Sequence, residues 1–278
     1  EGLKSLVSNA LCWGSGFVYI DGKADTDLWS SLSTLCRRFG RDDAVFVLNY
    51  MTGNSDERAS SNTLNPFSSG SASYLCNLLE SLMPEAGGDN AMWKERAVAL
   101  LRTIMPALTW MRDNMDVPMS IDTIRQAIDF ASVIKLARHE ALPPKLRESV
   151  QGYLDTLPGY VDAAFDEEGK EKPMGPDVPQ SDAQVPMQQH GYLTMQFTRS
   201  LQSLADDYNY IVEVDNADMD MIDVVVNRRS VVGMLPALEK SGDETATLGT
   251  IIAATLKGMM GTTLGAAVEG ASSKVIEN

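Results

Sequence analysis

The segment VYIDGKAD, residues 18–25, decides how the chain is read. An apolar run, residues 17–20, stops abruptly at Asp21, Gly22 and Lys23, the pattern of a buried strand that presents charge where it ends. Upstream, Leu3, Leu6, Val7, Ala10 and Leu11 recur at helical spacing until Gly14 and Gly16 break the pattern. Downstream, Thr26 or Asp25 can cap a second helix with Leu28, Leu32, Leu35, Cys36 and Phe39 on one face, and Gly40 offers a left-handed stop. A second apolar run follows at residues 44–48. Helix, strand, helix, strand with near-continuous apolar strands predicts an α/β fold whose parallel sheet is covered on both faces.

Residues 53–70 turn to Ser, Asn, Thr and Gly, which is loop chemistry and marks a boundary. Beyond it the pattern is helical: Leu75, Leu78, Leu79 and Leu82 in one stripe, then Trp93, Ala97, Leu100, Leu101 and Ile104 in the next. Pro106 should kink or end that second helix. Ser120 heads a third helix carrying Ile124, Ala127, Ile128 and Ala131, and Pro143 with Pro144 opens a fourth, to about residue 157. Residues 166–189, rich in proline and charge, are expected to be an exposed and mobile loop before a last long helix at about 190–208. Sheet chemistry returns at RSVVGML, residues 229–235, stopped by Pro236. Ser241 and Glu244 then form a capping box for a helix through about Met260. Residues 1–70 and 211–278 are therefore expected to build one α/β domain around an inserted all-α domain, residues 71–210.

With 38 acidic against 23 basic residues the net charge is −15, which argues against a nucleic-acid footprint spread over the surface while leaving room for a local basic patch. Cys12, Cys36 and Cys76 are an odd number without CxxC spacing, and read as buried thiols of a reducing compartment rather than disulfides or zinc ligands. The nearest approach to a membrane span, residues 248–268, is interrupted by Lys257. The opening on Glu1 rather than Met points to a piece of a longer protein.

In open parallel sheets ligands sit beyond the carboxyl ends of the strands. Asp21 and Lys23 fall at that edge, as do Asn49, Glu239 and Lys240. The competing reading is that Asp21 caps the next turn and Lys23 is solvated. No catalytic constellation stands out and no metal site is indicated. His139 and His190 are far apart, and Asp215, Asp218, Asp220 and Asp223 lack the spacing of a calcium loop. Arg228 and Arg229 could reach a phosphate on a neighbouring subunit, or simply line a rim. Trp93 and Trp110 read as core, and the fifteen methionines as pliable packing with some allowance for an adaptable protein-binding surface in the helical insert.

Several segments together, EGLKSLVSNAL, VYIDGKAD, VLNYMTGN, NPFSSGSASYL, HGYLTMQFTRSLQSLADDY, VVNRRSVVGMLPALEKS and LGTIIAATLKGMMG, resemble one family. The chain is similar, end to end and in the same order, to the cytoplasmic ATPases of type IV secretion coupling proteins, above all the DotL/IcmO branch with its plasmid relatives of the TraG/TrbC kind. The resemblance implies a RecA-like nucleotide-binding domain interrupted by an all-α domain, on the cytoplasmic face of the bacterial inner membrane. In such proteins a Gly-Lys-Thr phosphate loop comes directly before the helix that begins here at Glu1 or Gly2, and an acidic Walker B strand follows farther on; neither lies within these 278 residues. DGKAD is similar to the family's Asp-Pro-Lys-Gly signature with Gly22 in place of proline, so Glu1, Gly2, Asp21 and Lys23 are the residues the resemblance places at a nucleotide.

The resemblance also implies ATP and Mg2+ as cofactors of the whole protein, with none expected to bind tightly to this piece alone, which is expected to be inactive. It implies a homo-hexamer that recruits secreted proteins and adaptors through the all-α domain, meets other secretion-system subunits, and couples ATP hydrolysis to delivery of cargo. The acidic charge favours protein cargo over DNA, with DNA transfer in conjugation as the close variant. The alternative from another class is a non-catalytic adaptor or scaffold that keeps the α/β shape.

Overall fold

The computed structural model describes residues 2–23, 25–51, 60–83, 89–173 and 183–268. In chain order the elements begin with α1 (Gly2–Cys12), β1 (Val18–Asp21), α2 (Thr26–Arg38) and β2 (Val45–Asn49). Then come α3 (Ala72–Leu82), α4 (Asp89–Met115), α5 (Ile121–Ala127), α6 (Phe130–Arg138), α7 (Pro144–Asp155) and α8 (Gln184–Asp207). The chain continues with α9 (Asn209–Val212), α10 (Met221–Val226), β3 (Ser230–Met234) and α11 (Gly242–Val268). It divides into two compact units, Glu1–Pro66 with Tyr208–Asn278, and Phe67–Asp207. Among the described residues no helix is long and apolar enough to cross a membrane.

The first unit is mixed α/β. Its three parallel strands lie in the order β1-β3-β2, so the strand that arrives last is the middle one. Every residue of β3 is buried, which suits the run SVVGM to a central position. Val7 and Leu11 of α1, Leu32 and Cys36 of α2, and Val232 and Met234 of β3 form one core cluster, which puts α1 and α2 on one face of the sheet. On the other face a Cβ added at Gly233 would lie 2.7 Å from Ile252 Cδ1, so α11 rests directly on the strand. Leu248, Ile251, Ile252 and Met259 are buried there, and the apolar run that came nearest to a membrane span serves as sheet cover.

Local signals set the element ends. Asp25, rather than Thr26, caps α2, accepting from the amides of Asp27 and Leu28, and Gly40 takes φ +64° beyond its end. The Ser241 hydroxyl accepts from Glu244 N–H, half of the expected capping box; the Glu244 carboxylate turns instead to Tyr208 and Lys240, and α11 continues past Met260. The outer edge of β2 is covered by residues 60–62. Asn62 bonds Val47 through its side chain and its backbone, and Ser61 Oγ accepts from Asn49 N–H. Cys12 is exposed at the end of α1, against the expectation of burial, whereas Cys36 and Cys76 are buried.

The described residues of the second unit are helical apart from turns and one isolated bridge, Phe165 with Glu171. Helix α4 runs through Pro106 without ending there, and Thr109 Oγ1 donates to the carbonyls of Met105 and Pro106 in the turn that follows. The expected third helix is two helices, because Asp129 accepts from Ala131 N–H and starts α6 afresh. The expected loop at residues 166–189 is shorter than the composition implied. Residues 166–172 fold back, with Asp166 N–H on Lys170 O and Lys172 N–H on Ala164 O, and α8 already begins at Gln184. Residues 174–182 lie outside the described residues. Trp93 and Trp110 are half-buried rather than core.

Candidate functional site

Asp21, Asn49 and Met234 end the three strands at one level, since Asp21 and Asn49 both pair with Met234. This carboxyl edge collects the residues that the sequence singled out. Asp21 Oδ1 accepts from Lys23 N–H at 3.1 Å and Oδ2 from Asp25 N–H at 2.6 Å. Asp21 thus holds the turn whose far end, Asp25, caps α2. Lys23 is exposed, and Gly2 begins α1 on the same helical layer as α2. Glu1 lies outside the described residues.

Behind this edge stands an aromatic cluster that sequence reasoning missed. Tyr50, the residue after β2, is fully buried, and its ring meets Tyr208 edge-on at 5.4 Å. Burial pushes its hydroxyl well above the ordinary tyrosine range, and that hydroxyl has no hydrogen-bond partner among the described residues. Tyr208 donates to Glu244 Oε1 at 2.8 Å, Lys240 Nζ stands 5.9 Å from the Tyr208 ring and 3.6 Å from Glu244, and Tyr210 donates to Asn49 O at 2.9 Å. Lys240, placed at the edge by its position after β3, is therefore engaged in this cluster. A tyrosine directly after an apolar strand was the available signal; its partner is some 160 residues away in the chain.

Several of the other charged candidates have structural tasks. Asp218 accepts from Thr63 N–H and donates its own N–H to Thr63 Oγ1, Asp220 caps α10, and Asp223 pairs with Arg229 at 2.9 Å. Arg228 and Arg229 precede β3, at the end of the sheet opposite Asp21, and Arg41 donates to the Arg228 carbonyl. His139 and His190 are not brought together by any shared contact among the described residues. His190 is buried, with Nδ1 2.7 Å from the Tyr153 hydroxyl and Nε2 2.7 Å from Ile128 O.

No model of a known protein family matches the chain. The type 4 coupling protein DotL of Legionella pneumophila subsp. pneumophila, strain Philadelphia 1, is 42% identical to it over 296 residues, covering 99% of this chain. The chain belongs to the type IV coupling proteins, in the DotL branch. It spans 36% of the length of that relative.

The described residues fit the ATP and Mg2+ expected from the sequence unequally. An exposed lysine and a helix N-terminus at one sheet edge suit an anionic phosphate. For the metal there is no matching donor set: among the described residues no group of three or more His, Cys, Asp or Glu side chains could hold an ion, and both oxygens of Asp21 hold the turn.

Proposed function

We propose that this chain forms part of the cytoplasmic motor of a DotL-branch coupling protein, a RecA-like nucleotide-binding domain with an inserted all-α domain, held at the bacterial inner membrane. In this reading the assembled protein, a homo-hexamer, recruits substrates and adaptors through the all-α domain and couples ATP hydrolysis to their delivery into the secretion channel. The observation that carries the reading is the 42% identity running through 99% of the chain. The three-stranded parallel sheet, with Asp21 and Lys23 at its carboxyl edge, supports a nucleotide-facing role for Gly2, Asp21 and Lys23, and by position for Glu1. The net charge of −15 supports protein cargo over DNA. A non-catalytic scaffold is the second reading, and the engagement of both Asp21 oxygens by backbone amides favours it.

The test compares the full-length native protein with this chain. ATP hydrolysis by the full-length protein, lowered by Lys23→Ala, together with titration calorimetry showing no micromolar ATP affinity for the chain alone, is the expected result. A full-length protein that neither binds nor hydrolyses ATP would leave only the scaffold. Gel shifts of the full-length protein with single- and double-stranded DNA at rising salt separate the cargo classes, and tight, steeply salt-dependent binding would reverse the preference for protein.

A further inference from the structure

Within the helical unit, one flank of α4 meets one flank of α8 at a surface that the motor reading does not use. Trp93 and Tyr192 are in ring contact at 5.8 Å between centroids, and the Arg96 guanidinium stands 5.6 Å from the Trp93 ring. Met92 precedes Arg96 by four residues and Met195 follows Tyr192 by three, so each lies beside this pair on its own helix. Met195 is 67% exposed, Met92 48% and Tyr192 45%. The surface is thus apolar and aromatic, with the Arg96 guanidinium against it.

That cation differs from most arginines of the helical unit. Arg102, Arg125 and Arg138 hold Glu80, Asp122 and Asp162, and Arg112 holds Asp113. Arg96 rests on a ring face and has no carboxylate partner among the described residues, in a chain with 38 acidic side chains. A guanidinium without an acidic partner among the described residues, beside apolar groups left in water, complements an incoming carboxylate. Trp, Tyr, Met and Arg are also the types enriched at the centres of protein interfaces, and methionine adapts its shape to what it meets.

We infer that the α4–α8 surface docks a peptide segment of a partner protein carrying an apolar anchor beside a carboxylate. The anchor packs among Met92, Tyr192 and Met195, and the carboxylate pairs with Arg96. The inference rests on the reading of this chain as a receptor for protein partners and names the chemistry that the receptor selects. A second copy of the chain fits less well, because two molecules of charge −15 repel each other on approach.

The test titrates the full 278-residue chain into a fluorescein-labelled amphipathic peptide with Leu and Phe on one face and Glu beside them, read by fluorescence anisotropy. Saturable binding is expected, weakened about five- to tenfold by Arg96→Glu or Met195→Lys and by Gln for Glu in the peptide, and unchanged by Leu238→Lys in the other unit. Both patch substitutions sit on exposed positions, and thermal melts within a few degrees of the native chain verify their folding. Absence of saturable binding, or equal binding by native chain and patch variants, overturns the inference. So does sedimentation showing a dimer that Met195→Lys dissolves, which assigns the surface to a second copy. Delivery of a protein-cargo reporter in the native host separates this inference from the reading beneath it. If deleting the gene stops delivery while Arg96→Glu leaves peptide binding intact, the receptor stands and the patch falls; if deletion leaves delivery untouched, the receptor reading falls.

Discussion

A Cβ at Gly16 would collide with the carbonyls of Arg228 and Arg229, whereas one at Gly22 meets nothing within 4 Å. The first glycine lets the chain pass against the lead-in to β3; the second only enlarges the unfolded ensemble. Gly16→Ala is therefore expected to lower stability by about 2–3 kcal/mol through forced displacement of backbone. Gly22→Ala is expected to raise it by about 0.4–1 kcal/mol. Urea denaturation of the two variants checks both signs. His190 gives a pH dependence. Desolvation, partly offset by the Ile128 carbonyl and Asp129, holds its folded pKa below the ordinary 6.5. The unfolded imidazole then takes up its proton first as pH falls. The stabilisation from the neutral, hydrogen-bonded ring is full above about pH 6.5, declines below it, and levels off once the folded ring also protonates. A proton NMR titration placing His190 at or above 6.5 in the folded chain would contradict this, and His190→Asn should flatten the stability profile between pH 5 and 7. Thiol labelling offers a simpler check: Cys12 should react promptly in the native chain, while Cys36 and Cys76, the latter pushed up by burial to about 11, should wait for unfolding.

Among the elements, those fixed by their own neighbourhood are the ones the sequence made legible. Helix α2 starts at Asp25 and stops at Gly40, α3 starts at Ser71, α7 starts at Pro144, and the three strands fall within a residue or two of the apolar runs that announced them. The misreadings came where a local rule met a competing one. Of the two outcomes expected at Pro106, a kink or an end, the end does not occur: flanking burial at Met105 and Ala107 holds α4 together although one amide is missing. Asp129 looked like one more turn of a continuing stripe, but its carboxylate competes for the amide of Ala131 and divides α5 from α6. Asp129→Ala should cost about 1 kcal/mol as a lost cap, seen as a lower melting temperature, while Asp129→Asn should keep most of it. At the candidate site, Asp21 was legible as the end of an apolar run. The competing reading of that position, in which Asp21 caps the next turn, is the one its two oxygens follow, each accepting from a backbone amide.

On the scale of the whole molecule, what the sequence left unread is what joins distant segments. Nothing near residues 18–49 states that β1 and β2 never touch and that each instead bonds to β3. The ring contact of Tyr50 with Tyr208, and the Arg41 bond to the Arg228 carbonyl, are non-local in the same way. A chain ending at Asp207 would keep the helical unit, Phe67–Asp207, and lose the middle of the sheet. Limited proteolysis of that truncation should release fragments from residues 2–50 quickly while residues 89–173 stay protected. Equal resistance of the two regions would contradict the central placement of β3.

The central strand also sets a timetable at the ribosome. About 180 residues separate the end of β2 from the start of β3, so at synthesis rates of roughly 5–20 residues per second the two flanking strands wait on the order of ten to forty seconds for the segment that joins them. During that interval their bonding edges are open to any extended chain nearby, and nascent polypeptides of this kind should lean on chaperones most heavily just before residue 230 leaves the exit tunnel.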